Sequence, residues 1–213
     1  MYRLAGSLTW GLPWNGQGNG TLRADAERSV RAILEAAEAL LAEDPNASME
    51  QIAAAAGVAR TTIHRRFASR QALVEELAAS AARRLARAVE DGRPDTAPPL
   101  VALHRITANV LQVKSAWGFA LGLPAAPGGP ADVLHRDIAD RCLALFARAQ
   151  RDGLIDAAAD LDWVRRVYYA LIGEALHGDT GGTDPDTLAV RVVDSLLYGA
   201  APRSRTSASA HAS

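Results

Sequence analysis

Apolar residues recur at intervals of three and four along most of the chain, and Val and Ile never alternate with polar residues in runs that a sheet would need. In the first such segment Val30, Ile33, Leu34, Ala37 and Leu41 share one face of a helix running from about Asp25 to Glu43. Asp44-Pro45-Asn46 ends it, since proline disfavours helix at the residue before it. Ser48 opens a second helix: Gln51, three residues on, completes a capping box, and Glu50 suits the positive end of the helix dipole. Gly57 stops this helix where a left-handed backbone is cheap. A third, very short helix covers about Arg60 to Phe67. Ser69 then caps a fourth, from Arg70 to about Glu90, whose stripe is Leu73, Leu77, Ala81, Leu85 and Val89. Gly92-Arg93-Pro94 ends it.

The second half continues in the same style. A fifth helix (about 98–117) buries Leu103, Ile106, Val110 and Val113, and a short sixth (118–123) precedes the turn-rich PAAPGGP. A seventh runs from about Ala131 to Asp152 with Leu134, Ile138, Leu145 and Phe146 inward and Gly153 as its stop. The eighth (Leu161–His177) and ninth (Pro185–Tyr198) start at the capping residues Asp160 and Asp184. The expectation is an all-α chain of about nine helices. It divides into an extension without order (1–22), a three-helix head (23–69), a helical body (70–200) and a small, polar, disordered tail (201–213). Gly16, Gly18 and Gly20 invite a phosphate-loop reading, but no strand precedes them.

Composition narrows the chemistry. The 213 residues suffice for a real core, and 49% hydrophobic content with only 5% aromatic, much of it alanine, favours helix. A net charge of −1 means that any nucleic-acid site must be local. The single cysteine, Cys142, excludes an intramolecular disulfide and a cysteine-rich zinc site, and its helical setting suits a small core residue. No run is long enough to span a bilayer, and the N-terminus lacks a basic segment leading into an apolar one. These features predict a cytoplasmic protein with no membrane partner.

The head carries the clearest chemistry. From Gln51 to Val74 there is no acidic residue, while Arg60, Arg65, Arg66 and Arg70 are all present, with Thr61, Thr62 and His64 among them. Ile52, Ala53, Ala56, Val58, Ile63 and Phe67 can pin two helices together around Gly57. An arginine run alone reads as a solvated face. Cap, turn, apolar pins and missing acids together point instead to a helix-turn-helix whose second helix enters the major groove of double-stranded DNA.

Residues 25–75 resemble the DNA-binding head of the tetracycline-repressor (TetR) family of bacterial regulators. The resemblance rests on Ile33-Leu34 and Ala36-Ala37, Ile52-Ala53, Ala56-Gly57-Val58, Thr62-Ile63, Phe67 and Leu73. It implies a homodimeric repressor that binds an operator and releases it when a small molecule enters the C-terminal domain. The chain departs from the family pattern at His64, where tyrosine is usual, and at Thr61, where a smaller residue is common. His64 can still hydrogen-bond the DNA backbone, more strongly when protonated. Arg70 stands where the family often has lysine. The expected division of labour is Arg60, Thr61 and Thr62 on base edges or adjacent backbone, and His64, Arg65 and Arg70 on phosphates. Arg66 is left aside because it can face away from the groove.

For the body the sequence offers candidates. Trp117 and Phe119 flank a Pro- and Gly-rich loop where a pocket can open, and His104, Asn109, Gln112, Cys142, Phe146 and Tyr168 can add polar or aromatic lining. The aliphatic bias suits a largely apolar effector. The last two helices are apolar over a wide arc, so Val164, Val167, Tyr168, Leu171, Leu188, Val192 and Leu196 are the expected contacts with a second copy. The competing class is a helical metalloenzyme using Glu174 and His177 with Asp132 and His135. It lacks inward carboxylates on two further helices, so no enzyme, cofactor or metal is expected. A third possibility is a TetR-like protein whose DNA binding is altered or lost.

Overall fold

A computed structural model of the chain describes residues 18–177 and 183–199. Their regular structure is helical throughout: α1 (Gly18–Glu43), α2 (Met49–Ala55), α3 (Arg60–Arg66), α4 (Arg70–Asp91), α5 (Pro99–Ala116), α6 (Gly118–Gly122), α7 (Pro130–Arg151), α8 (Leu161–His177) and α9 (Pro185–Tyr198). The chain divides into two compact units between Ala68 and Ser69.

One boundary differs from expectation. α1 starts at Gly18, not near Asp25, and takes in residues 18–22 of the stretch expected to lack order. Glycine costs a helix only about 1 kcal/mol per residue, and adding a residue to an existing helix is far easier than nucleating one. The rest of that stretch, and the tail at 201–213, lie outside the described residues.

In the first unit α1, α2 and α3 pack on one another, and Ile33, Leu34, Ala37 and Leu41 are buried together with Ile52, Ala53 and Ile63. The capping box forms in full: the Gln51 N–H donates to Ser48 Oγ at 3.2 Å, and the Ser48 N–H donates to Gln51 Oε1 at 2.7 Å. Gly57 takes φ +65°, and the Val58 N–H closes the turn on the Ala53 carbonyl at 3.0 Å. These local contacts set the start of α3.

In the second unit α5 is the hub, packed against α4, α6, α7, α8 and α9. Leu103, Ile106 and Leu111 on α5 share a core with Val89, Leu145, Phe146, Tyr168, Ile172 and Val193. Within it lies one buried polar contact. The Thr107 hydroxyl donates to the Leu103 carbonyl at 2.6 Å, so its oxygen accepts from the Tyr168 hydroxyl at 2.8 Å. Between α4 and α5 the helices come so close that a Cβ on Gly92 would lie 2.3 Å from Ile106 Cγ1. The left-handed backbone of that turn falls on Arg93 (φ 56°) instead, and the Arg148 guanidinium clamps the turn through the Pro94 and Ala97 carbonyls.

Among the described residues no helix is long and apolar enough to cross a membrane.

Candidate nucleic-acid interface and effector cavity

α3 is seven residues long and is held by its inward side. Ile63 is buried, and so is Phe67 just past its end. That leaves Arg60, Thr61, His64 and Arg65 exposed and Thr62 half-buried. Arg60 is the most open of those with a partner, its side chain 73% exposed. Arg66 is half-buried with its Nε shielded, so it leaves the exposed row, as the sequence allowed.

The run without acids ends one residue too soon to describe this surface. Glu50, on the first turn of α2, reaches the exposed row: its carboxylate lies 3.0 Å from the Arg60 guanidinium and 3.5 Å from His64 Nε2. Its own backbone N–H and His64 hold the Glu50 carboxyl below the usual carboxylate range, with a further contribution from Arg60. Counting charges along the sequence missed this contact because α2 and α3 cross, and the crossing brings residues ten apart together. Arg70 belongs to the second unit, exposed in the first turn of α4, where the Ser69 hydroxyl caps the Ala72 N–H at 3.1 Å.

The second unit contains a partly open cavity of about 220 Å³. Its apolar wall comes from Leu85 and Val89 on α4, Ile106 and Val110 on α5, Leu121 on α6, Ile138 on α7 and Ile172 on α8. Its polar groups are Lys114, His135, Cys142, Tyr168 and Tyr169. Burial pushes the Cys142 thiol and the Tyr168 hydroxyl above their ordinary pKa ranges, so both are neutral, uncharged lining.

Of the eight expected lining residues, Cys142 and Tyr168 are at the cavity and six are not. His104 is tied to the Leu100 carbonyl one turn back, and Asn109 donates across to the Ala88 carbonyl. Gln112 is exposed and Phe119 half-buried on α6. Trp117 packs under the Arg84 guanidinium, 4.2 Å from the ring centroid, and Phe146 meets Tyr168 edge-on and fills core. The aromatic rings that flank the loop stand outside the cavity lining, which is mainly aliphatic.

The residues expected to contact a second copy divide by their burial within the chain. Tyr168, Leu188 and Val192 are packed inside the chain's own core, 2, 8 and 3% exposed. Val164, Leu171 and Leu196 lie half-buried against that core, and Val167 is half-buried. The outward stripes carry Trp163 on α8 and Val190 and Tyr198 on α9, 59, 47 and 49% exposed. A wide apolar arc does not by itself separate the inward part from the outward part.

The residues of the metalloenzyme alternative stand apart. Asp132 accepts from the Gly128 N–H and from Arg136, and the His177 ring is tied to the Gly173 carbonyl at 2.6 Å. Glu174 is exposed, and His135 faces the cavity. Among the described residues no three such groups converge on one point.

A family model described as bacterial regulatory proteins, tetR family, matches residues 33–77. The HTH-type transcriptional repressor LfrR of Mycolicibacterium smegmatis is 31% identical over 180 residues, covering 84% of this chain and 94% of that protein. The crystal structure of LfrR in complex with proflavine superposes with a TM-score of 0.63 at 30% identity, covering 82% of this chain and 98% of that one. The regulator PfmR from Thermus thermophilus shares the fold, with a TM-score of 0.69 at 19% identity over 80% of this chain and 99% of its own. Head and body are thus matched together in one relative, and the chain belongs to the TetR family of bacterial transcriptional regulators, which are not enzymes.

Proposed function

We propose that the chain acts as a homodimeric repressor. It holds a palindromic DNA operator through α3 and lets go when a small, largely apolar molecule enters the cavity of the second unit. The observation that carries the DNA half is the single exposed row Arg60, Thr61, His64 and Arg65 on a helix pinned by Ile63 and Phe67. Four side chains that can reach bases or phosphates face one way, and the apolar ones face the other. Within that row Arg60, Thr61 and Thr62 read base edges or the adjacent backbone, while His64 and Arg65, with Arg70 of α4, hold phosphates.

The effector half draws on the apolar wall of the cavity and on LfrR, the relative solved with proflavine. The dimer half draws on the outward residues of α8 and α9, where Trp163, Val190 and Tyr198 leave apolar surface in water. With the half-buried Val164, Val167, Leu171 and Leu196 beside them, these stripes suit a four-helix bundle made by two copies. A chromosome-binding regulator works in the cytoplasm, and we place the chain there.

Selection of bound sequences from random double-stranded DNA tests the central claim. An enriched palindrome is the expected result. Absence of enrichment would overturn the operator reading and favour a TetR-family chain that has lost DNA binding.

A further inference from the structure

The polar groups of the cavity are not spread evenly, and the helix registers show where they gather. On α4, Ala78 and Ala82 pack against Ala131 of α7, whereas Glu90 is paired with Arg141 further along both helices. The two helices therefore run side by side in the same direction, and His135 lies level with the α4 turn around Arg84. α5 runs the opposite way: Asn109 reaches the Ala88 carbonyl, and Trp117 lies beneath Arg84. Lys114, between them, falls at that same level. Both basic groups stand at one end of the cavity, and the Tyr168–Thr107 contact, packed against Phe146, lies in the core away from it.

Among the described residues no carboxylate lines the cavity, and the side chains of Lys114 and His135 have neither an ion pair nor a hydrogen bond. The acids of α7 are committed elsewhere: Asp132 pairs with Arg136, Asp137 pairs with Arg141, and Asp140 is exposed. A half-buried ammonium beside an apolar wall lacks the compensation that a paired one has, and a bound anion supplies it.

We infer that the cavity takes an amphipathic organic acid, with its apolar body among Val89, Ile106 and Ile172 and its acid group at Lys114 and His135. The inference rests on the proposed effector role of the same cavity. A cavity of about 220 Å³ calls for a small acid with a short apolar body, and octanoate serves as the probe.

Calorimetric titration of the full chain with octanoate, 1-octanol and octylammonium, three ligands with one tail and different heads, tests this. Octanoate is expected to bind about tenfold more tightly than octanol, with octylammonium weakest, and K114Q with H135Q should bring octanoate down to the level of octanol. If octylammonium matches octanoate, or the preference for octanoate survives both substitutions, the acid is overturned while octanol binding keeps the cavity as an effector site. If none of the three binds, octanol included, the effector role of the cavity falls together with the acid.

Discussion

Glu50 changes how the exposed row on α3 works. Arg60 is not idle before DNA arrives, because its guanidinium already faces a carboxylate at 3.0 Å. In the proposed complex Arg60 gives up that partner to reach a guanine edge, so Glu50 is expected to weaken binding and to limit Arg60 to sites that offer it something better. Glu50→Gln should therefore tighten operator binding by roughly a few-fold and flatten discrimination, measured as the ratio of operator to scrambled DNA affinity. The same carboxylate predicts a pH effect. Its folded pKa is lowered, so its contribution to stability is complete above the ordinary value of 4.5 and is lost as pH falls through the folded value. The gap in urea midpoint between wild type and Glu50→Gln should then shrink as the pH is taken from neutral down past 4.5. Arg60→Ala should cost ~1–3 kcal/mol on the operator and relax its sequence preference. Arg70→Ala should instead weaken binding to every sequence and reduce the salt slope by about one. Titrations at several salt concentrations separate the two, and equal losses on operator and scrambled DNA in both variants would dissolve the division.

At the scale of elements, glycine marks two different physical needs. Gly57 supplies a backbone with φ +65° and has open space around it. Gly92 has an ordinary backbone, φ −73°, and is required for room: a Cβ there would meet Ile106 Cγ1 at 2.3 Å and the Ile106 backbone N at 3.0 Å. Gly92→Ala should therefore overpack the α4–α5 contact and cost ~1–3 kcal/mol of unfolding free energy, read as a fall in the denaturant midpoint at unchanged slope. Thr107→Val tests the buried hydroxyl pair: it strands the Tyr168 hydroxyl in the core and should cost ~1–3 kcal/mol in the same assay. Helix ends were legible in sequence wherever a cap is local, as at Ser48, Ser69 and Asp184. They were less so at Gly18, where no side chain marks the start.

For the whole molecule, the proposed dimer rests on the outward stripes of α8 and α9. Val190→Glu, on the surface of α9 and away from the core, should shift the protein from dimer to monomer in light scattering at micromolar concentration. It should weaken operator binding with it, because two half-sites are then no longer joined. A wild-type monomer under those conditions would end the dimer reading. The sequence by itself determined the helices, their caps, the glycine turn and the basic row of the head, because each depends on residues within a few positions of one another. It did not determine what fills the body. Lys114 carried no reading in the sequence, and His135 read as half of a metal pair; only the registers of α4, α5 and α7 bring them to one cavity. Trp117 and Phe146 pack outside the cavity lining, and Tyr168, Leu188 and Val192 are buried in the chain's own core, for the same reason. Which side of a wide apolar arc is covered, and by what, depends on contacts between residues far apart in the chain. Hydrophobic burial has no direction of its own, so tertiary packing alone could decide it.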